Sequence, residues 1–82
     1  MIYLEPRSTF DEAIIGANEE TKQIIYDYDK LVDCIINNLQ TQDDNITNEE
    51  AYYVALEDIN FNIEPMRLCV KNWPIIQRDT DE

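Results

Sequence analysis

The sequence predicts a small α+β domain, with two main helices and a short N-terminal helix packed on a small two- or three-stranded sheet. Three observations lead to this prediction: apolar residues recur at helical spacing in two long segments, a capping motif precedes the second segment, and runs rich in β-branched residues lie outside both. With 82 residues the chain is long enough for one domain. We place that domain at residues 1–78 and expect residues 79–82 to form a frayed acidic tail.

The N-terminal third is predicted to alternate between extended and helical segments. "MIYL" has the character of a short strand that Pro6 ends, and "STFDEAIIG" is typical of a short helix. Thr9 is the expected cap of this helix, and Gly16 is expected to end it in the left-handed conformation. "ANEETK" then predicts a polar loop, and "QIIYDY" predicts a strand.

The two long helices are predicted near residues 28–40 and 48–62. Asp27 or Asp29 is expected to cap the first helix, and Thr47 with Glu50 forms a capping box for the second. Pro65 is expected to close the second helix. The predicted apolar faces consist of Leu31, Val32, Ile35, Ile36 and Leu39 in the first helix, and of Tyr52, Ala55, Leu56, Ile59 and Ile63 in the second.

The C-terminal segment contains two extended candidates, "MRLCV" and "PIIQ", separated by "KNW". The strands at residues 24–27 and 74–77 are expected to pair. Because these residues are far apart in sequence, their pairing would close the domain over the apolar faces of the helices.

The charge of the chain limits its partners. Eighteen acidic and six basic residues give a net charge of −12, which repels phosphate, so we expect no direct binding to nucleic acid or to an anionic membrane. A protein with a basic surface is the expected partner. No run reaches transmembrane length and the N-terminal segment does not resemble a signal peptide, so a cytoplasmic protein with reduced thiols is expected.

The residue inventory argues against catalysis. The chain has no histidine, which removes Ser–His and Cys–His nucleophiles, and its single glycine cannot build a phosphate-binding loop. Cys34 and Cys69 are too few for a zinc site and are expected to be free thiols. We therefore expect no enzymatic activity, no cofactor and no bound metal.

Asp27, Asp29 and Asp33 form a local cluster of carboxylates that invites comparison with a calcium loop. Such a loop needs glycine at its sixth position and glutamate at its twelfth, and counting from Asp27 these positions hold Val32 and Asn38. The cluster is better explained by a helix cap followed by a solvated face.

Seven residues are candidates for partner binding. Glutamates recur every seven residues, about 10 Å apart along an ideal helix, and two aspartates form a second short row. Two aromatic residues do not fit the predicted core and are expected to be exposed contacts. The candidates are Asp29, Asp33, Glu50, Glu57, Glu64, Tyr53 and Trp73. The alternative is that the carboxylates only solvate the outer faces of the helices.

Four blocks, "LEPRSTFDEAIIG", "IIYDYDKLVD", "ALEDINFNIEP" and "PII", together resemble a family of small proteins encoded by bacteriophages and prophages. The blocks occur in the family's order and together extend from residue 4 to residue 76, over most of the chain. The chain departs from the family's pattern at Pro65 and Met66 and in "RLCVKNW". The resemblance implies a phage origin and a place of action inside an infected bacterium, but no reaction.

These observations favour a non-catalytic phage protein that binds and inhibits a host nucleic-acid-handling or defence complex, in the manner of an anti-CRISPR protein that imitates nucleic acid. The alternative is a structural or accessory phage protein that acts by self-association, such as a homodimer, or by assembly with other phage proteins. A small-molecule binder is a third and weaker alternative.

Overall fold

Three strands form one sheet, and the helices pack against it. The computed structural model describes residues 1–78, so the expectation of a frayed tail at 79–82 lies outside the described residues. In chain order the elements are α1 (Arg7–Phe10), a 3₁₀ turn (Asp11–Ala13), β1 (Ile14–Asn18), β2 (Gln23–Asp27), α2 (Tyr28–Gln42), α3 (Asn48–Asp58), a π-helical segment (Ile59–Ile63), a 3₁₀ segment (Glu64–Leu68) and β3 (Ile75–Gln77). The predicted α+β class with a small sheet is confirmed.

The central strand β2 pairs with one strand from the N-terminal part of the chain and one from the C-terminal part. It pairs antiparallel with β1 and parallel with β3, where Ile25 lies opposite Ile75 and Tyr26 opposite Ile76. The predicted pairing of residues 24–27 with 74–77 is confirmed. Along β2, Ile24 and Tyr26 are buried, because alternate side chains of a strand point to the same face of the sheet.

The N-terminal third corrects several predictions. Residues 1–4 form no strand, although Leu4 is part of the core. The first helix begins at Arg7, directly after Pro6, and not at a Thr9 cap. Gly16 lies inside β1 and its φ is not positive, so it does not terminate a helix. The segment becomes extended from Ile14 because its backbone pairs with β2, which outweighs the local helical pattern.

The start of α2 is as predicted. The Asp27 side chain caps the helix by accepting a hydrogen bond from the Lys30 backbone N–H at 3.0 Å. Of the predicted apolar face, Leu31, Val32 and Ile35 are buried, while Ile36 and Leu39 are half-buried against the core. The helix continues to Gln42, two residues further than predicted.

The second long helix starts as predicted but does not remain an α-helix. Both hydrogen bonds of the Thr47–Glu50 capping box are present. After Asp58 the chain forms a π-helical segment and then a 3₁₀ segment that includes Pro65. Pro65 therefore does not end the helical chain, since proline fits the first turn of a helical segment, and the extended prediction for "MRLCV" is wrong at Met66–Leu68.

The buried face of α3 also differs from the prediction. Ala51 and Ala55 are fully buried, and Ile59 continues this row at four-residue spacing, whereas Tyr52 is exposed. The small alanine side chains allow the backbone of α3 to lie close to α2, with which α3 makes extensive contact. A predicted face based on large side chains misses such a contact.

Candidate protein-interaction surface

The acidic pair on α2 is exposed as predicted. Asp29 lies in the first turn, where a carboxylate interacts favourably with the positive end of the helix, and Asp33 follows one turn later. Among residues 1–78, no Lys or Arg forms an ion pair with either aspartate. Asp27, not Asp29, is the cap, so the charges of Asp29 and Asp33 are free to face a partner.

The three glutamates of the second predicted row have three different environments. Glu50 is exposed, but its Oε1 accepts a hydrogen bond from the Thr47 N–H at 3.2 Å, so it belongs to the helix cap. Glu57 is exposed and forms no ion pair with the described residues. Because the π-helical segment separates Glu57 from Glu64, the even spacing expected along one α-helix does not extend to Glu64.

Glu64 is neutralised by an arginine from the end of the sheet. Its Oε2 lies 2.6 Å from the Arg78 guanidinium, which also lies over the ring of Tyr28 with 4.0 Å between Cζ and the ring centroid. This cluster joins the start of α2, the start of the 3₁₀ segment and the residue after β3. Glu64 is therefore less available to a partner than Glu57.

The two predicted aromatic contacts also differ. Tyr53 is 59 % exposed, and its ring makes an edge contact with Tyr52 at a centroid distance of 5.9 Å. Trp73 is half-buried and packs against the core, and its carbonyl accepts a hydrogen bond from the Gln23 side chain at 2.7 Å. The prediction that Trp73 is exposed is therefore wrong. Trp73 shortly precedes β3, and the pairing of β3 with β2 holds this turn against the core.

A groove of about 440 Å³ lies between α1, α2 and α3, and we call it the α2/α3 groove. Phe10, Ile35 and Leu39, which belong to or pack on the core, supply its apolar floor. At its border lie Val54, 42 % exposed, and Phe61, 73 % exposed. An aromatic side chain so exposed beside an apolar floor is typical of a contact site.

The polar border of the α2/α3 groove is acidic. Glu57 and Asp58 line it, together with the uncharged Thr9, Asn38 and Asn62. The Asp58 carboxylate accepts a hydrogen bond from the Asn62 side chain at 2.9 Å, which fixes both groups beside the groove. No Lys or Arg lies among the residues that line this groove.

A second groove, of about 500 Å³, adjoins the first, and we call it the N-terminal groove. It shares Phe10, Asp58 and Asn62 with the α2/α3 groove, and its remaining wall includes Tyr3, Ile63 and Trp73. Its second carboxylate is Glu5, and it too is lined by no basic residue. The shared residues make the two grooves neighbouring parts of one acidic, apolar surface.

The two cysteines lie in different environments and are not joined by a disulfide. Cys34 is buried and Cys69 is exposed, and both are free thiols. Burial raises the pKa of the Cys34 thiol, and the nearby charges of Glu12 and Asp33 act in the same direction. Between residues 1 and 78, no group of three or more Cys, Asp or Glu side chains has a metal-binding arrangement.

Sequence reasoning missed Val54, Phe61 and the groove itself. For Val54 the sequence did contain a signal. Ala51, Ala55 and Ile59 recur every four residues and form the buried face, and Val54 lies outside that face. The π-helical segment, which brings Phe61 and Asn62 to the border, has no local sequence signature that we can identify. Such segments frequently occur at functional sites.

No protein-family model, curated protein or solved structure matches this chain. In the part of the chain that the structure describes, every helix is too short or too polar to cross a membrane.

Proposed function

We propose that this chain is a non-catalytic phage protein that binds and inhibits a host nucleic-acid-handling or defence complex through a basic surface of that complex. The observation that carries the proposal is the exposed surface of α3, where the unpaired Glu57 lies close in sequence to the exposed side chains of Tyr53 and Val54. Helix α3 contains four carboxylates and no Lys or Arg.

Two further features support binding to a basic protein. Asp29 and Asp33 add a second exposed acidic surface, and the net charge of −12 accelerates association with a positively charged partner. The resemblance of the four sequence blocks supports the phage origin and, with it, the proposed site of action in the bacterial cytoplasm. Nucleic-acid mimicry in this proposal rests on Asp29, Asp33 and Glu57, since Glu50 caps a helix and Glu64 pairs with Arg78.

The test is capture followed by inhibition. The immobilised full chain is incubated with a nuclease-treated bacterial lysate, and the nucleic-acid affinity of each captured protein is measured with and without added chain. We expect a basic protein whose nucleic-acid binding falls when the chain is present in equal amount. The double variant Asp29→Asn, Asp33→Asn should associate more slowly, above all at low salt.

Captured proteins whose nucleic-acid binding is unaffected would contradict the inhibitory function. Sedimentation of the purified chain addresses the structural alternative. A stable homo-oligomer at micromolar concentration, without any captured basic protein, would favour a phage assembly protein.

A further inference from the structure

We propose that the α2/α3 groove is the docking site for a basic amphipathic helix of the partner, whose apolar side chains enter the groove while flanking Lys or Arg side chains pair with Glu57 and Asp58. This inference rests on the proposed function and deepens it by naming the recognition element. It also shifts the centre of binding from phosphate mimicry to an apolar contact with a charged border.

The α2/α3 groove presents apolar surface both at its floor and at its border. Phe10, Ile35 and Leu39 are held by the core, so the floor is preformed. Val54 and Phe61, which are 42 % and 73 % exposed, extend apolar surface outward from this floor. Covering such a surface releases roughly 25 cal/mol per Å² of apolar area, which makes it the favourable centre of an interface.

The carboxylates at the border of the α2/α3 groove favour a basic occupant. Glu57 and Asp58 line the groove, the adjoining N-terminal groove adds Glu5, and no Lys or Arg is among the described residues that line either groove. A second copy of this chain would bring its own charge of −12 against these carboxylates, and like charges across an interface are strongly disfavoured. A helix with Lys or Arg beside its apolar face complements both parts of the surface, as in helix-in-groove recognition.

The geometry of Asp58 adds a reason for specificity. Its carboxylate accepts a hydrogen bond from the Asn62 side chain at 2.9 Å, so it is positioned before any partner arrives. Asn62 belongs to the π-helical segment, which therefore helps to orient the acidic border.

The probe is a fluorescent helical peptide of about four turns, with Leu on one face and Lys flanking it. The control peptide has the same composition in a scrambled order without an apolar face. We expect the folded full chain to bind the amphipathic peptide at least about tenfold more tightly than the scrambled one. Equal affinity for both peptides, or no binding of the amphipathic peptide at about 100 µM chain, would overturn the proposal.

Matched variants of the chain locate the site. Phe61→Ala should weaken binding of the amphipathic peptide by about tenfold, whereas Leu68→Ala, at a similarly exposed apolar residue outside the groove, should leave the peptide affinity within about twofold. Glu57→Gln should lower the association rate more than Glu50→Gln, because Glu50 does not line the groove. Equal losses within either pair would place the binding elsewhere and overturn the assignment.

The outcomes separate this inference from the proposed function. If Phe61→Ala still captures and inhibits the basic host protein while the Asp29, Asp33 double variant does not, the proposed function stands and the groove assignment fails. If the peptide binds in the groove but no captured protein is inhibited, the groove assignment stands and the proposed function fails. A dimer of the chain that Phe61→Ala dissociates would overturn the groove assignment in favour of self-association.

Discussion

The Tyr26 hydroxyl accepts a hydrogen bond from the backbone N–H of Leu4 at 2.8 Å, within the buried core. This bond ties the irregular N-terminal segment to the central strand, and it satisfies two polar groups that water does not reach. Tyr26 is fully buried and Leu4 is almost fully buried.

Replacing Tyr26 by Phe should lower the free energy of unfolding by about 1–3 kcal/mol, because the Leu4 N–H loses its partner inside the core. Urea unfolding followed by circular dichroism measures this change. Tyr53→Phe is the control, since its exposed hydroxyl makes no hydrogen bond with the described residues, and it should unfold like the parent chain. Equal stability of all three proteins would contradict a buried bond.

The same tyrosine predicts a loss of stability at high pH. Burial raises the pKa of Tyr26 above its usual value of 10.0, although the hydrogen bond from Leu4 works in the opposite direction. Above pH 10 the unfolded chain therefore loses this proton before the folded chain does, and stability falls as the pH rises through the folded pKa. Because Tyr26→Phe lacks this ionisation, its stability should decline less steeply between about pH 9 and 11. Parallel pH profiles would argue against the raised pKa.

Gly16→Ala should leave stability unchanged or raise it by up to about 1 kcal/mol. Gly16 does not have a positive φ, and a Cβ built at this position meets no atom within 4 Å. The change therefore only reduces the freedom of the unfolded chain. A left-handed helix terminator, as the sequence pattern predicts, would instead make the substitution destabilising. Thermal unfolding of the variant separates the two.

The cysteines should react with a thiol reagent at very different rates. Cys69 is exposed, whereas Cys34 is buried and has a raised pKa, which lowers its thiolate fraction near neutral pH. Titration of the native protein without reductant should show one fast and one slow thiol, and denaturation should make both fast. Cys69→Ser is expected to remove the fast phase alone. A single phase for both thiols in the native protein would contradict this difference.

Thr47→Ala should cost about 1 kcal/mol, since it removes the side-chain oxygen that accepts the Glu50 N–H at 3.1 Å. Thr41→Ala is the comparison, because the Thr41 hydroxyl bonds a carbonyl one turn earlier within α2 and caps no helix end. The loss at Thr47 should exceed that at Thr41 in urea unfolding. If both variants lose the same stability, the cap is not the cause.

The candidate site was predictable only in part. Asp29, Asp33, Glu57 and Tyr53 are exposed, as local helical periodicity predicts. The ion pair between Glu64 and Arg78 could not be predicted from a local sequence pattern, since the two residues are fourteen positions apart. The 3₁₀ segment and β3, which lie between them in the chain, bring them together. The groove likewise requires the packing of α1, α2 and α3, which brings Phe10, Leu39 and Phe61 together.

By itself, the sequence determined the features that depend on a few neighbouring residues. The aspartate cap of α2, which the sequence narrows to Asp27 or Asp29, the Thr47–Glu50 capping box and the buried face of α2 follow from hydrogen bonds and periodicity within a few turns. Tertiary structure decided the features for which local preference is weak or ambiguous. The local pattern predicts the end of a helix at residues 14–16 and a loop from residue 17, but the ladder with β2 makes residues 14–18 a strand. The burial of the Ala51 side of α3 in place of Tyr52 depends on how closely α2 approaches, which no single segment specifies.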